Sequence, residues 1–144
     1  DHLQDPGNLG TIMRAAEAAG VTGILMSSDC VDIYNPKTIR STMGALYRVP
    51  FVVSEDFAGD IERLKKAGVS TYADHLGATI SYEGADYKKP CAFMIGNEAN
   101  GLSDEVAALA DCKILIPMAG QVESLNAAMA ATVLMFEAAR QRRN

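Results

Sequence analysis

Short apolar runs alternate with segments of helical periodicity along the 144-residue chain. The apolar runs have the length of β-strands and occur at residues 23–27, 48–53, 69–73, 91–95 and 112–116. The helical segments cover residues 9–19, 56–67, 103–110 and 125–140. Gly20 and Gly68 each follow one of these helices and predict a left-handed C-terminal cap. Alternating strands and helices predict a single α/β domain, in which a parallel sheet carries helices on both faces.

The closing helix is rich in alanine. Between the alanines it carries larger apolar side chains at helical spacing, namely Leu125, Met129, Val133 and Phe136, and no charged residue precedes Glu137. A helix without a polar face is expected to be buried on nearly all sides, and small alanines allow close packing there.

Composition narrows the functional classes. No apolar run approaches the ~18 residues of a membrane span, so we expect a soluble protein. The three cysteines lack paired spacing and predict free thiols in a reducing compartment, the cytoplasm. His2 and His75 are the only histidines, and the absence of a catalytic triad or metal-binding motif argues against nucleophilic or metal-dependent hydrolysis. The net charge of −5 argues against nucleic-acid binding through overall charge.

Three loops carry the candidate chemistry, because ligands of parallel sheets bind beyond the carboxyl ends of the strands. The first, residues 95–103 (IGNEANGLS), places Gly96 and Gly101 around Glu98. This pattern is typical either of a tight strand-to-helix turn or of a loop whose backbone approaches a ligand closely. The loop has neither the Walker A pattern nor the dinucleotide-binding pattern, which argues against a phosphate cradle of those kinds.

The other two loops place polar side chains beside helices. Residues 116–126 (IPMAGQVESLN) end in Ser124 and Asn126, which either only cap the closing helix or also face a site. Residues 5–20 (DPGNLGTIMRAAEAAG) contain Asn8 and Arg14. Arg14 lies among apolar neighbours and either extends to solvent or is held at a site, where its planar guanidinium suits phosphate.

Together, the three motifs resemble in order and spacing those of the SpoU (TrmH-like) branch of the SPOUT RNA 2′-O-ribose methyltransferases. The resemblance covers nearly the whole chain and implies a parallel-sheet SPOUT fold, in which the C-terminal part threads through a loop to form a trefoil knot. It also implies transfer of a methyl group from S-adenosylmethionine to a ribose 2′-hydroxyl in RNA, without a metal. Family members are homodimers with active sites near the subunit interface, so a homodimer is expected here.

The resemblance assigns roles to individual residues. The cofactor site would be lined by Gly96, Ile116 and Leu125, with Met118, Ser124 and Gly101 close by and a contribution from Ala73, Asp74 or His75. Arg14 would engage the 2′-hydroxyl, and the ribose, the phosphate and Arg14 would be oriented by Asn8, Glu98, Ser124 and Asn126. Because a guanidinium is a reluctant base, we expect Arg14 to position the substrate, with Glu98 as a candidate partner.

Residues 35–50 also resemble a family segment and contain the candidates for RNA contact, Lys37, Arg40 and Arg48. A solvated basic surface is the alternative interpretation. This segment favours ribosomal RNA over transfer RNA as the target.

Family members usually have a strand before the DPGN loop and often an N-terminal RNA-binding domain, so residues 1–144 would be a catalytic domain that lacks both. Two other functions stay open: a non-catalytic knotted RNA-binding or dimerisation module, and an α/β enzyme for another adenine-containing cofactor.

Overall fold

The computed structural model describes all 144 residues. Its six strands, β1 to β6 in chain order, are Ile24–Ser27, Phe51–Ser54, Ser70–Asp74, Ile80–Ser81, Cys91–Met94 and Cys112–Leu115. Its five α-helices, α1 to α5, are Pro6–Ala19, Pro36–Ser41, Phe57–Lys66, Asp104–Ala107 and Ala127–Arg143. Short 3-10 helices occupy Ala45–Tyr47 and Tyr82–Gly84.

Every strand pairing is parallel, as the alternation of strands and helices predicts. β1 pairs with β2 in one sheet, and the other sheet has the strand order β4-β6-β3-β5. All five predicted strands are present, whereas the two-residue β4 is too short to leave a pattern in the sequence. The parallel α/β prediction is therefore confirmed, and the trefoil knot stays a prediction. The division into two sheets is a feature that the sequence pattern does not reveal.

Local sequence explains the ends of the first helix. Asp5 has extended backbone, and its carboxylate accepts a hydrogen bond from the Asn8 amide at 2.9 Å. Pro6 occupies the first helical turn, where a missing N–H costs little. Gly20 ends α1 with a φ of 76°, and Gly68 follows α3 with a φ of 87°. Both predicted left-handed caps are confirmed.

Two helices differ from the sequence pattern. α2 was not expected, although Asn35 caps it by accepting from the Lys37 amide at 2.9 Å. The helix expected over residues 103–110 is a single turn, α4, because Leu109 and Ala110 donate to carbonyls three residues back and so form tighter turns. Both helices are shorter than the window over which helical periodicity can be recognised.

Small residues bring α1 close to its two neighbouring helices. A Cβ atom on Gly10 would lie 2.2 Å from the Ser41 Cβ atom and 2.9 Å from the Thr38 carbonyl oxygen, so α1 and α2 are in backbone contact. Against α5, the buried Ala16 and Ala131 lie in one apolar cluster with Met135. The glycine and the alanines thus set the spacing of the helices that carry the loops of residues 5–20 and 116–126.

The expectation that α5 is buried on nearly all sides is wrong. Its inward side chains are mostly small, namely Ala128, Ala130, Ala131, Leu134, Met135 and Ala138. Met129 is 57% exposed and Phe136 is 41% exposed. The inner face, which packs against α1, carries mostly alanines beside Leu134 and Met135, whereas Met129 and Phe136 point outward. No helix of the fold combines the length and apolar character that a membrane span requires.

We expect Gly10→Ala to destabilise the protein. Alanine favours a helix by about 1 kcal/mol over glycine, but the overlap with Ser41 and Thr38 costs about 1–3 kcal/mol or more. Thermal unfolding should show a lower midpoint than the wild type. Gly23→Ala is the matched control, since its Cβ would lie 3.6 Å from the nearest atom, the Pro50 carbonyl oxygen. A midpoint for Gly10→Ala at or above that of the control would contradict the close packing of α1 and α2.

Candidate active site

A chain of hydrogen bonds joins the three candidate loops beyond the carboxyl ends of the strands. The Asn126 amide nitrogen donates to the Asn8 side-chain oxygen at 3.1 Å. The Asn8 side-chain nitrogen donates to Glu98 Oε1 at 3.3 Å. These residues lie 118 and 90 positions apart in the chain, so the contacts come from the tertiary fold. We refer to Asn126, Asn8 and Glu98 as the relay.

Glu98 holds the backbone of the segment just before α1. Its carboxylate accepts from the Asp5 amide at 2.8 Å and from the Gln4 amide at 3.0 Å, in addition to Asn8. Burial alone would raise the pKa of Glu98, but the hydrogen bonds from Asp5 and Gln4 outweigh it and hold the pKa below its usual value. The relay therefore contains an anionic carboxylate that is saturated with N–H donors.

Asn126 is the cap of α5. Its side-chain oxygen accepts from the amides of Ala128 at 2.9 Å and Met129 at 3.3 Å, while its nitrogen reaches Asn8. Of the two residues that the sequence offers as caps, Asn126 fills that role, because the capping bonds are its own. Ser124 lies in the exposed loop just before the helix and is left available to a ligand.

The loop of residues 95–103 is closed tightly around Gly96. A Cβ atom there would lie 2.1 Å from the backbone of Gly101 and Leu102, so no other residue fits at position 96. Gly101 has a φ of 67° and forms an antiparallel bridge with Asn97. The close contact is within the loop itself, as in a tight strand-to-helix turn, and an approach of this backbone to a ligand stays a prediction.

Sequence reasoning missed Asn97. Its side-chain oxygen accepts from the Ala99 amide at 2.9 Å, and its nitrogen donates to the His2 carbonyl at 3.0 Å. It thereby shapes the Glu98 loop and ties that loop to the start of the chain. The sequence does offer a sign of this role, because an asparagine that follows a glycine after a strand commonly forms a turn through its own side chain.

Arg14 lies apart from the relay. It is exposed and follows Asn8 by six positions, which corresponds to about 9 Å along the helix axis and about 120° around it. It forms no salt bridge. The expected Glu98–Arg14 bond is therefore wrong, because the Glu98 carboxylate is occupied by the backbone and by Asn8. Within one chain, the guanidinium is free to contact a ligand or a second protein surface.

The predicted cofactor residues differ in what they expose. Ile116 and Met118 are half-buried after β6, and Leu125 is 38% exposed before α5. The side chain of Ala73 is fully buried in a core cluster with Ile61 and Met94, so it offers only backbone atoms to a ligand.

Asp74 ends β3, and His75 follows it at the same edge of the sheet. Burial raises the pKa of the Asp74 carboxyl, and only a weaker effect of His75 opposes the rise. His75 is held in place, since its Nδ1 accepts from the Gly77 amide at 3.0 Å and its Nε2 lies 3.2 Å from Asp104 Oδ1. His75 thus already has its partners, whereas a bound hydrogen-bond donor would stabilise the ionised carboxylate of Asp74.

The three basic residues predicted to contact RNA are not equivalent. Lys37 and Arg40 are exposed on α2 and form no salt bridge. Arg48 forms a two-point ion pair with Glu17, and the Nη2–Oε2 distance is 2.9 Å. Its charge is largely compensated on α1, so Lys37 and Arg40 are the free cations of this segment. No group of three or more His, Cys, Asp or Glu side chains is placed to hold a metal ion.

Comparison with known proteins decides the family. The model of the SpoU rRNA Methylase family matches residues 1–136. The chain belongs to the SpoU rRNA methylase family. Among SpoU relatives, an uncharacterized tRNA/rRNA methyltransferase of Synechocystis sp. is 40% identical over 141 residues, covering 98% of this chain and 52% of that protein. The 23S rRNA (guanosine(2553)-2′-O)-methyltransferase of Bacillus subtilis is 35% identical, covering 94% of this chain and 54% of its own length.

A solved SpoU structure has the same fold. The SpoU methyltransferase AviRb from Streptomyces viridochromogenes, in complex with the cofactor AdoMet, superimposes with a TM-score of 0.91 at 36% identity. The match covers 99% of this chain and 58% of that one. The SpoU chain described here therefore spans about half the length of the curated relatives that it matches.

Replacing Glu98 with glutamine should weaken the site. The amide keeps the shape of the side chain but presents one NH2 group to backbone donors that need acceptors. The pKa of Glu98 is lower in the folded protein than its usual value of 4.5. The ionised carboxylate therefore stabilises the fold at pH values above 4.5, and this stabilisation is lost as the pH falls through the pKa of the folded state. Glu98→Gln should have a lower thermal midpoint at neutral pH, and the difference from the wild type should shrink in acid.

Glu55→Gln provides the control, since Glu55 is exposed and lies outside the relay. If Glu98→Gln and Glu55→Gln had the same midpoint at neutral pH, the assignment of Glu98 as an anchor would be wrong.

Proposed function

We propose that this chain is the catalytic domain of an S-adenosylmethionine-dependent methyltransferase that modifies a ribose 2′-hydroxyl in RNA. The observation that carries the proposal is the relay, which joins all three family motifs at one edge of the sheet. The family match over residues 1–136 and the similarity to a 23S rRNA 2′-O-methyltransferase support the reaction. The likeness to AviRb in complex with AdoMet supports the cofactor.

The cofactor would bind against the loops that follow β3, β5 and β6. Leu125, Ile116 and Met118 offer partly exposed apolar surface for the adenine ring and the methionine chain. Gly96, Gly101 and Ala73 would contribute backbone donors and acceptors. Asp74 is a half-buried carboxyl at the end of β3 and would accept from a hydroxyl or ammonium group of the cofactor. S-adenosylmethionine supplies an electrophilic methyl group when bound.

The remaining polar residues would hold the substrate. A ribose 2′-hydroxyl is a weak nucleophile, so its oxygen would have to lie in line with the sulfur–methyl bond. That bond would break as the oxygen–methyl bond forms, and the hydroxyl proton would pass to solvent. Ser124 and Asn126 lie directly beside Leu125 and can hydrogen-bond to the ribose, while Asn8 keeps Asn126 oriented. Arg14 would contact the phosphate or the 2′-hydroxyl, since its guanidinium is uncommitted.

Ribosomal RNA is the proposed target, because the similar B. subtilis protein acts on 23S rRNA. Lys37 and Arg40 would bind the phosphate backbone from α2. With a net charge of −5, the chain would depend on this local patch rather than on its overall charge. Transfer RNA is the alternative substrate, and the reaction would take place in the cytoplasm.

A homodimer is the proposed assembly. The outer face of α5 presents Met129 and Phe136, which are 57% and 41% exposed. An exposed apolar patch on one face of a helix is the kind of surface that binds another protein. A second copy seated on this face would also bring another Arg14 near the subunit boundary, since α1 packs beside α5. This arrangement would explain why Arg14 lies away from its own relay.

Arg14→Ala should separate binding from catalysis. Isothermal titration should give an affinity for S-adenosylmethionine within about twofold of the wild type, because Arg14 is outside the predicted cofactor loops. Transfer of labelled methyl to ribosomal RNA should fall by roughly 10²-fold or more. The label should be recovered as a 2′-O-methylated nucleoside after digestion.

Arg63→Ala is the control for loss of a surface cation, because Arg63 lies on α3 and pairs with Asp60. Undiminished transfer by Arg14→Ala would refute the role of Arg14. Transfer of the label to transfer RNA alone would refute the proposed target while leaving the reaction class intact.

Phe136→Asp should dissociate the dimer, because a carboxylate would be buried in an apolar interface. Sedimentation should give the mass of a dimer for the wild type and of a monomer for the variant. Val52→Asp is the matched control, since Val52 is 57% exposed on the edge strand β2 and should leave the dimer intact. A wild-type monomer, or equal masses for wild type and Phe136→Asp, would contradict the proposed interface.

A further inference from the structure

Basic residues gather at the end of the fold opposite the candidate active site. Four of the 13 Lys and Arg residues are paired with carboxylates, namely Arg48, Arg63, Lys65 and Arg140. The other nine form no salt bridge, and five of them lie at the edge of the fold where the parallel strands begin. These five are exposed, and we refer to them as the amino-edge patch: Lys66, Lys88, Lys89, Arg142 and Arg143.

The fold brings three separate segments together at this edge. Lys66 is the last residue of α3, just before β3, and β3 pairs with β5 from its first residue. Lys88 and Lys89 lie in the turn that leads into β5. The end of α5 packs on that turn, because the Arg142 guanidinium donates to the Lys89 carbonyl at 3.1 Å. Arg143 follows as the last residue of α5, so the five cations share one surface.

Helix ends explain only part of the amino-edge patch. Lys66 and Arg143 lie at the C-terminal ends of α3 and α5, where cations stabilise the helix dipole. Arg142 has a structural role, since its guanidinium donates to two carbonyls of the turn before β5. Lys88 and Lys89 belong to no helix, and their ammonium groups make no hydrogen bond or salt bridge within the chain. Their charges are therefore free to bind a partner.

Carboxylates do not neutralise the patch. Asp86 precedes the two lysines, and its carboxylate accepts from the Lys88 amide at 3.0 Å. Glu137, on the same helix as the two arginines, is held by Arg140 through two bonds of 2.7 and 2.8 Å. The amino-edge patch is thus positive although the whole chain carries a net charge of −5. Concentrated positive charge of this kind attracts a polyanion, and Lys and Arg bind the phosphates of a nucleic-acid backbone without contacting bases.

We propose that the amino-edge patch is a second contact surface for the RNA substrate, which binds backbone phosphates far from the nucleotide that is methylated. The inference rests on the proposed function, because RNA is the polyanion that the proposed reaction brings to the protein. α5 separates the two surfaces, since Asn126 of the relay caps its start and Arg143 is its last residue. The 17 residues of α5 span about 25 Å at ~1.5 Å per residue.

This separation specifies the size of the RNA. A substrate that occupies both surfaces must extend at least about 25 Å from its target ribose, as a folded RNA of many nucleotides does and a mononucleotide does not. Phosphate contacts add affinity and fix orientation without reading sequence. The amino-edge patch would therefore lower the KM for a long RNA and leave kcat unchanged, because it touches no reacting atom.

The test compares Lys88→Gln/Lys89→Gln, which removes two charges, with Lys88→Arg/Lys89→Arg, which keeps them. Filter binding to a 23S rRNA transcript should be roughly tenfold or more weaker for the Gln variant at low salt. The slope of log K against log salt should fall by about 1 for each lost phosphate contact. The Arg variant should bind within about twofold of the wild type. In methyl transfer to the same RNA, the Gln variant should have a raised KM and a kcat within about twofold of the wild type.

Arg63→Gln is the control for a cation whose charge is already compensated by Asp60, and it should leave the affinity and the slope unchanged. If Lys88→Gln/Lys89→Gln unfolds, Lys66→Gln/Arg143→Gln takes its place.

Equal affinity and salt slope for the wild type and the folded Gln variant would overturn the proposal. So would a loss of affinity that the Arg variant shares, or a fall in kcat with an unchanged KM. Binding is measured without S-adenosylmethionine. A wild type that binds RNA through the amino-edge patch but transfers no methyl group would therefore refute the proposed function and leave the contact surface standing.

Discussion

The hydrogen bonds that join Asn126, Asn8 and Glu98 are the contact on which the candidate active site depends. They tie the cap of the last helix, the start of the first helix and the loop after β5 into one unit. Each member also satisfies backbone groups of its own segment: Asn126 caps α5, and Glu98 accepts from the amides before α1. Loss of one side chain would leave polar groups unpaired in two loops at once, so the three loops should behave cooperatively.

Close packing of the helices and of the 95–103 loop brings Asn126, Asn8 and Glu98 within hydrogen-bonding distance of one another. Gly10 lets α1 touch α2, and Gly96 lets the Glu98 loop fold against its own far side, where any Cβ would collide with backbone. On α5, alanines face inward, so the helix lies near enough to α1 for Asn126 to reach Asn8. The outer face of α5 carries the exposed Met129 and Phe136, and this face is where a second copy is proposed to bind.

Much of the fold could be predicted from the sequence, because parallel strands buried on both faces leave apolar runs and helices leave a period of 3.6 residues. α2 and β4 could not be predicted, since six and two residues are too short to show either pattern.

Only the family resemblance groups Asn8, Glu98 and Asn126, because nothing in the local sequence links residues 118 positions apart. The sequence also could not show that Glu98 is saturated by backbone amides, which is why the expected Glu98–Arg14 bond was wrong. The inward face of α5 was misjudged because helical spacing identifies an apolar stripe but not which partner covers it.

If the relay makes the three loops one cofactor-binding unit, Asn8 and Asn126 should act together in binding S-adenosylmethionine. A double-mutant cycle measured by isothermal titration compares the wild type, Asn8→Ala, Asn126→Ala and the double variant. We expect the wild type to bind, each single variant to bind more weakly, and the double variant to be hardly weaker than the worse single one. Fully additive losses would show that Asn8 and Asn126 act independently, and a folded wild type that does not bind S-adenosylmethionine would rule out a cofactor-binding unit.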